Sequence, residues 1–191
     1  RVSFGENLSL RLYCACTAVA DGTQTIVKIA TTIFSSLLAA VYLGRSKILN
    51  EWSAAHIKDM TVAAMMTWYS AKGIFLPKSS TESRDALVDS QGVHELGNFK
   101  VKVIDKMNLF EKFTVRLEFI INVVKEIFDI AISGVRYGIS CLFKKVHQNS
   151  QMFDGISYYE FLLLSKHTGY LFDSCEGVVR PKEANLKMVK P

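Results

Sequence analysis

Between residues 6 and 76, apolar side chains recur at three- and four-residue steps, the period of a helix with one apolar face. Ile26, Ile29, Ile33, Leu37, Val41 and Ile48 form one stripe. Thr31, Ser35, Ala39 and Tyr42 lie on another face, with Thr32 and Ser36 beside them. Gly44 interrupts the pattern, and a second helix is predicted from Ser46. It carries Ile48, Leu49, Trp52, Ala55 and His56 on one side and Lys47, Glu51 and Lys58 on the other. Asp59 is the expected N-cap of a further helix through Met60, Ala63, Ala64, Thr67 and Ala71, closed by Gly73 and Pro77.

The character then changes. Residues 77–98 are polar and read as a linker or exposed loop. Phe99, Val101 and Val103 alternate with Lys100 and Lys102, a strand signal over 99–105 whose partner is sought at 168–174 or 177–180. Residues 109–147 form the clearest element, a long amphipathic helix. Leu117, Ile121, Val124, Phe128, Ala131, Val135, Leu142 and Val146 mark its apolar face. Glu118, Asn122, Lys125, Asp129, Ser133, Arg136 and Ser140 mark the opposite face. Glu111, Glu118, Glu126 and Asp129 are expected in solvent. Lys144, Lys145 and His147 suit the negative end of the helix dipole, before a break at Asn149 and Ser150. Ser157 and Glu160 read as a capping box opening a helix over 158–168, with Gly169 just past its end.

These patterns predict a mainly α fold: a bundle of about five or six helices with a minor short β element. The regions are an N-terminal helical part (1–76), the linker (77–98), a C-terminal helical part packed on the first (99–176) and a basic tail (177–191), together one compact domain.

The stretch TIVKIATTIFSSLLAAVYLGRSK, Thr25–Lys47, carries no charge between Lys28 and Arg45. A membrane span needs about 20 predominantly apolar residues. Ile29–Gly44 falls short of that, and its Thr and Ser residues suit a packing surface. The expectation is therefore a central, buried helix, with a membrane-inserted segment as the alternative. Burial of Thr25–Leu43 decides between them. Gly134-x-x-x-Gly138 on the long helix is expected to let this segment approach closely.

Composition narrows the class without fixing it. Of 191 residues, 49% are hydrophobic and 21% charged, which excludes a disordered chain. Three prolines favour helix. A net charge of +5 favours acidic surfaces without specifying one. The four cysteines do not make a disulfide framework at this length, so a reducing compartment is favoured, with membrane association as an alternative. The chain begins at Arg1, as a fragment or processed form would. LSLRLYCACTAVA, residues 8–20, has some features of a signal segment, but a buried first helix is the preferred reading.

Candidate chemistry is sparse. Cys14-x-Cys16 lacks zinc-ligand spacing, and His56, His94, His147 and His167 are scattered. No phosphate-binding glycine motif is present. No metal or cofactor is therefore expected. Cys175 with His167 or His147, oriented by Asp173, is a weak candidate for a cysteine-dependent hydrolase, weakened further because Asp173 and Glu176 would raise the thiol pKa. Lys100, Lys102, Lys106 and Lys112 with Phe99 and Phe110 hint at nucleic acid, but Asp105 and Glu111 interrupt them, and nucleic acid is not expected. The leading expectation is a non-enzymatic helical interaction or scaffold module, binding a protein partner or a second copy. Trp52, Trp68, Tyr69, Tyr158 and Tyr159 are its named anchors. The alternative is an accessory protein or secreted effector acting at a membrane surface.

Overall fold

A computed structural model describes residues 3–43, 45–77, 93–95, 108–148, 150–180 and 187–189. Almost all of these lie in four helices: α1 (Phe4–Val41), α2 (Lys47–Gly73), α3 (Leu109–Val146) and α4 (Gln151–Val179). Val93–Glu95 pairs antiparallel with Lys187–Val189 in the one short ladder among the described residues. The strand expected over 99–105 lies outside the described residues, as does most of the expected linker. Its proposed partners, 168–174 and 177–180, belong instead to α4 and its C-cap Arg180.

Local chemistry explains where the helices begin. Ser3 and Glu6 form a capping box at α1: Glu6 N–H donates to Ser3 Oγ at 3.2 Å, and Ser3 N–H to Glu6 Oε2 at 2.8 Å. Asn108 and Glu111 form another at α3. Ser46 precedes α2, as the break in the pattern predicts; Ser150 precedes α4, whose first residue lies seven before the start expected at 158.

Among the described residues there are four helices, and two of the expected starts are not starts. Asp59 lies within α2 and Ser157 and Glu160 within α4, where they face the interior. The Asp59 and Glu160 carboxylates accept from Lys28 and Arg136 of other helices rather than from their own helix's free N–H groups, and Ser157 Oγ makes no hydrogen bond. Gly169 is likewise inside α4.

The helices run up, down, down and up: α3 lies antiparallel to α1, as the pairs Ser9–His147, Gln24–Asp129 and Tyr42–Thr114 show, and so runs the same way as α2. α1 pairs with α2, α3 pairs with α4, and α1 also packs on α3. Each buried seam repeats at steps of three and four, the spacing of a coiled coil. In α1 it is Leu10, Cys14, Thr17, Asp21, Gln24, Lys28, Thr31 and Ser35, all buried. In α3 it includes Val115, Phe119, Glu126, Asp129, Ser133, Arg136 and Ser140. Such seams are normally apolar; these are mostly polar.

Two buried apolar clusters stand among the described residues, one at each end of the bundle. Ala39, Ile48, Leu49, Trp52, Val115 and Phe119 form the first, with Trp52 edge-on to Phe119 at 5.2 Å. Leu10, Tyr13, Cys14 and Phe153 form the second. Gly177 is required beside the first, because a Cβ there would overlap the Phe119 ring.

The sidedness of α1 and α3 is the reverse of the expected one. The stripe Ile26, Ile29, Ile33, Leu37 and Val41 faces outward, with exposures from 40% (Ile29) to 68% (Ile26); only Ile48, in α2, is buried. The polar face of α1 is what packs. On α3, Val124, Phe128, Val135, Leu142 and Val146 are exposed, while Glu118, Glu126 and Asp129, expected in solvent, are buried. Gly134 and Gly138 do not receive α1, since no side chain or neighbouring backbone comes within 4 Å of a Cβ built there.

Candidate functional site

The seam between the apolar clusters holds a ladder of buried charges. Nearest the Leu10–Phe153 cluster is Arg136. Its Nη1 donates to Asp21 Oδ1 at 2.7 Å and its Nη2 to Glu160 Oε1 at 2.9 Å. Tyr13 and Ser70 hydroxyls donate to Glu160 and Asp21 respectively, each at 2.5 Å. This group draws on all four helices.

The middle group centres on Asp59. Lys28 donates to its Oδ1 and Lys125 to its Oδ2, each at 2.8 Å. Lys125 Nζ also lies 3.2 Å from Glu126 Oε1. Glu126 Oε2 is 2.8 Å from His167 Nδ1, and Asp129 Oδ2 lies 3.7 Å from the same nitrogen. Gln24 Nε2 donates to Asp129 Oδ1 at 2.7 Å. Nearest the other apolar cluster, Ser35 donates to Glu118 Oε1 at 2.5 Å and His56 Nε2 lies 3.5 Å from Glu118 Oε2. Buried hydroxyls between these groups are satisfied locally, as where Thr31 and Thr32 donate to the Lys28 carbonyl.

Charge in the seam does not balance. The carboxylates Asp21, Asp59, Glu118, Glu126, Asp129 and Glu160 are buried or nearly so, against the permanent cations Lys28, Lys125 and Arg136. A low-dielectric interior tolerates ions only when they are paired. An apolar cluster stands at each end of the seam.

The hydrolase candidates do not converge. Cys175 is exposed on α4, not in a loop, and eight residues beyond His167 corresponds to a rise of about 12 Å. His167 is engaged by Glu126. His147 caps α3 at the other end of the bundle, where Nε2 meets Ser9 Oγ at 2.8 Å and the ring stacks on Phe153. Cys14 is buried and Cys16 exposed, so they share no site. Among the expected anchors, Trp52 is buried and cannot serve as one; Trp68 and Tyr158 are exposed, and Tyr69 and Tyr159 are partly buried. Of the basic cluster with Phe99 and Phe110, only Lys112 and Phe110 are described, on the first turn of α3.

Asp21, Asp59, Glu118, Glu126, Asp129, Arg136 and Glu160 were not expected to meet in one site. Their seam spacing was the available signal. No known protein family, curated protein or solved structure matches the chain.

Proposed function

We propose that this is a membrane-embedded helical subunit, its apolar exterior covered by lipid and its polar seam shielded within. The observation that carries this reading is the uncharged outer surface. On α1, the exposed residues from Leu12 to Val41 are all uncharged. On α3, the exposed residues between Arg116 and Lys144 are Ile120, Val124, Ile127, Phe128, Ala131, Val135, Gly138 and Leu142. Those 27 intervening residues rise about 40 Å, enough for a hydrocarbon layer of about 30 Å. α1 is long and apolar enough to cross a membrane, and only 28% of its most apolar stretch is buried. Water penalises this arrangement, whereas lipid favours it, because in lipid the polar groups are the ones that must turn inward. Trp68 and Tyr158 are exposed about one turn from Lys72 and Asp154, where aromatic side chains favour a membrane interface.

The test is extraction. Membranes from cells expressing the chain should retain it through alkaline carbonate and release it into detergent. A chain that stays monodisperse in buffer without detergent refutes the reading.

Lys166 favours adding protein contact on one sector. It is exposed on α4, twelve residues from Asp154 and ten from Glu176, deep within the otherwise apolar surface. A lysine facing hydrocarbon there costs about 2.5–3.5 kcal/mol. The outer face of α4 around Lys166 is accordingly read as a subunit contact. Lys166→Leu should then change the assembly size on native gels in mild detergent, and an unchanged size counts against that contact.

A further inference from the structure

We propose that Glu126, Asp129 and His167 bind a first-row divalent cation inside the bundle. This does not depend on what covers the exterior. Glu126 and Asp129 stand three residues apart on α3, so both carboxylates project from one face toward α4, where His167 meets them. One ligand atom from each of Glu126, Asp129 and His167 lies within 4.8 Å of the others. Two ligands each about 2.1 Å from a tetrahedral ion sit about 3.4 Å apart. The observed Nδ1–Oε2 and Nδ1–Oδ2 separations, 2.8 and 3.7 Å, bracket that value.

A separate observation points to a ligand. Asp129 is fully buried, yet its Oδ2 makes no hydrogen bond. Gln24 holds the other oxygen, Oδ1, at 2.7 Å and so aims Oδ2 at the imidazole. A buried, unsatisfied carboxylate oxygen is costly, and a cation between it and His167 removes that cost.

Lys125 does not occupy the position. Its Nζ bridges Asp59 Oδ2 and Glu126 Oε1, while Glu126 Oε2 faces His167 Nδ1 at 2.8 Å, a hydrogen bond that the ion would replace. Imidazole with two carboxylates suits zinc, iron or manganese better than calcium or magnesium. Three protein ligands leave one position open.

The full-length chain, purified in detergent and stripped with chelator, is titrated with Zn²⁺ by calorimetry, and with Co²⁺ by visible absorption. One ion per chain is expected, with a Co²⁺ spectrum of low coordination number. His167→Ala and Asp129→Asn should abolish that saturable event. Gln24→Ala should weaken it about 10–100-fold, as loss of a ligand-orienting partner does. Glu118→Gln, which alters a carboxylate elsewhere in the seam, should leave it intact. Circular dichroism establishes that each variant retains its helices. If His167→Ala does not fold, the Co²⁺ spectrum of the unmodified chain and the Gln24→Ala titration decide. Absence of one-per-chain binding in the unmodified chain, or unaltered binding in both ligand variants, overturns the proposal.

Discussion

Replacing Arg136 by Met tests whether the buried ion ladder holds the bundle together. The guanidinium donates to Asp21 at 2.7 Å and to Glu160 at 2.9 Å, linking α1, α3 and α4. Each charged hydrogen bond contributes about 1.5–3 kcal/mol, giving about 3–6 for the two. Breaking a buried pair costs about 3–5 kcal/mol, mostly because charge is left behind without its partner. The ranges overlap at about 3–5 kcal/mol, a shift of more than a hundredfold in the folding equilibrium. Unfolding in mixed micelles with rising dodecyl sulfate, followed by circular dichroism, reads the loss. Adding Asp21→Asn and Glu160→Gln should recover most of it, because the orphaned charges are then gone while Ser70 and Tyr13 retain acceptors. A loss under about 1 kcal/mol refutes the reasoning, as does a triple variant no more stable than Arg136→Met.

Two further predictions concern the ends of the bundle. Gly177→Ala places a methyl in the Phe119 ring and should destabilise by about 1–3 kcal/mol in the same assay, with Phe119→Leu recovering part; unchanged stability would contradict this packing. At the α1 start, outside the uncharged stretch, the Ser3 backbone N–H, then the Ser150 and Ser3 hydroxyls, hold the Glu6 carboxyl below its ordinary value of 4.5. A lowered folded pKa stabilises the end above the unfolded value and loses that support as pH falls through the folded one. Amide protection at residues 4–7 should therefore fall below about pH 4.5, and in Glu6→Gln it should not; equal pH dependence in both chains excludes the carboxylate as the cause.

Periodicity was legible in the sequence; sidedness was not. The stripe from Ile26 to Val41 and the opposing Thr31, Ser35 and Ala39 were correctly separated, as were the two faces of α3. Assigning the apolar face to the interior assumes water outside, and nothing in the spacing of residues states the solvent. The same assumption made Glu118, Glu126 and Asp129 look solvated. Helix ends were legible where turn chemistry acts alone, before Lys47, at Gly73 and after Val146. The starts expected at Asp59 and Ser157–Glu160 are absent, because the Asp59 and Glu160 carboxylates, which could cap their own helix, pair with distant ones instead. The Glu126–Asp129–His167 grouping joins residues about forty positions apart, so only the packing of α3 on α4 brings it together.

The inverted bundle is tested most directly at Ile26, 68% exposed and near mid-height on the outer face of α1. A nitroxide attached there, with the four native cysteines replaced and the chain in lipid vesicles, reports collisions with dissolved oxygen and with a water-soluble nickel chelate. Lipid cover requires strong relaxation by oxygen and almost none by nickel. Strong nickel relaxation would mean that the outer face of α1 stands in water, and the membrane reading would fall.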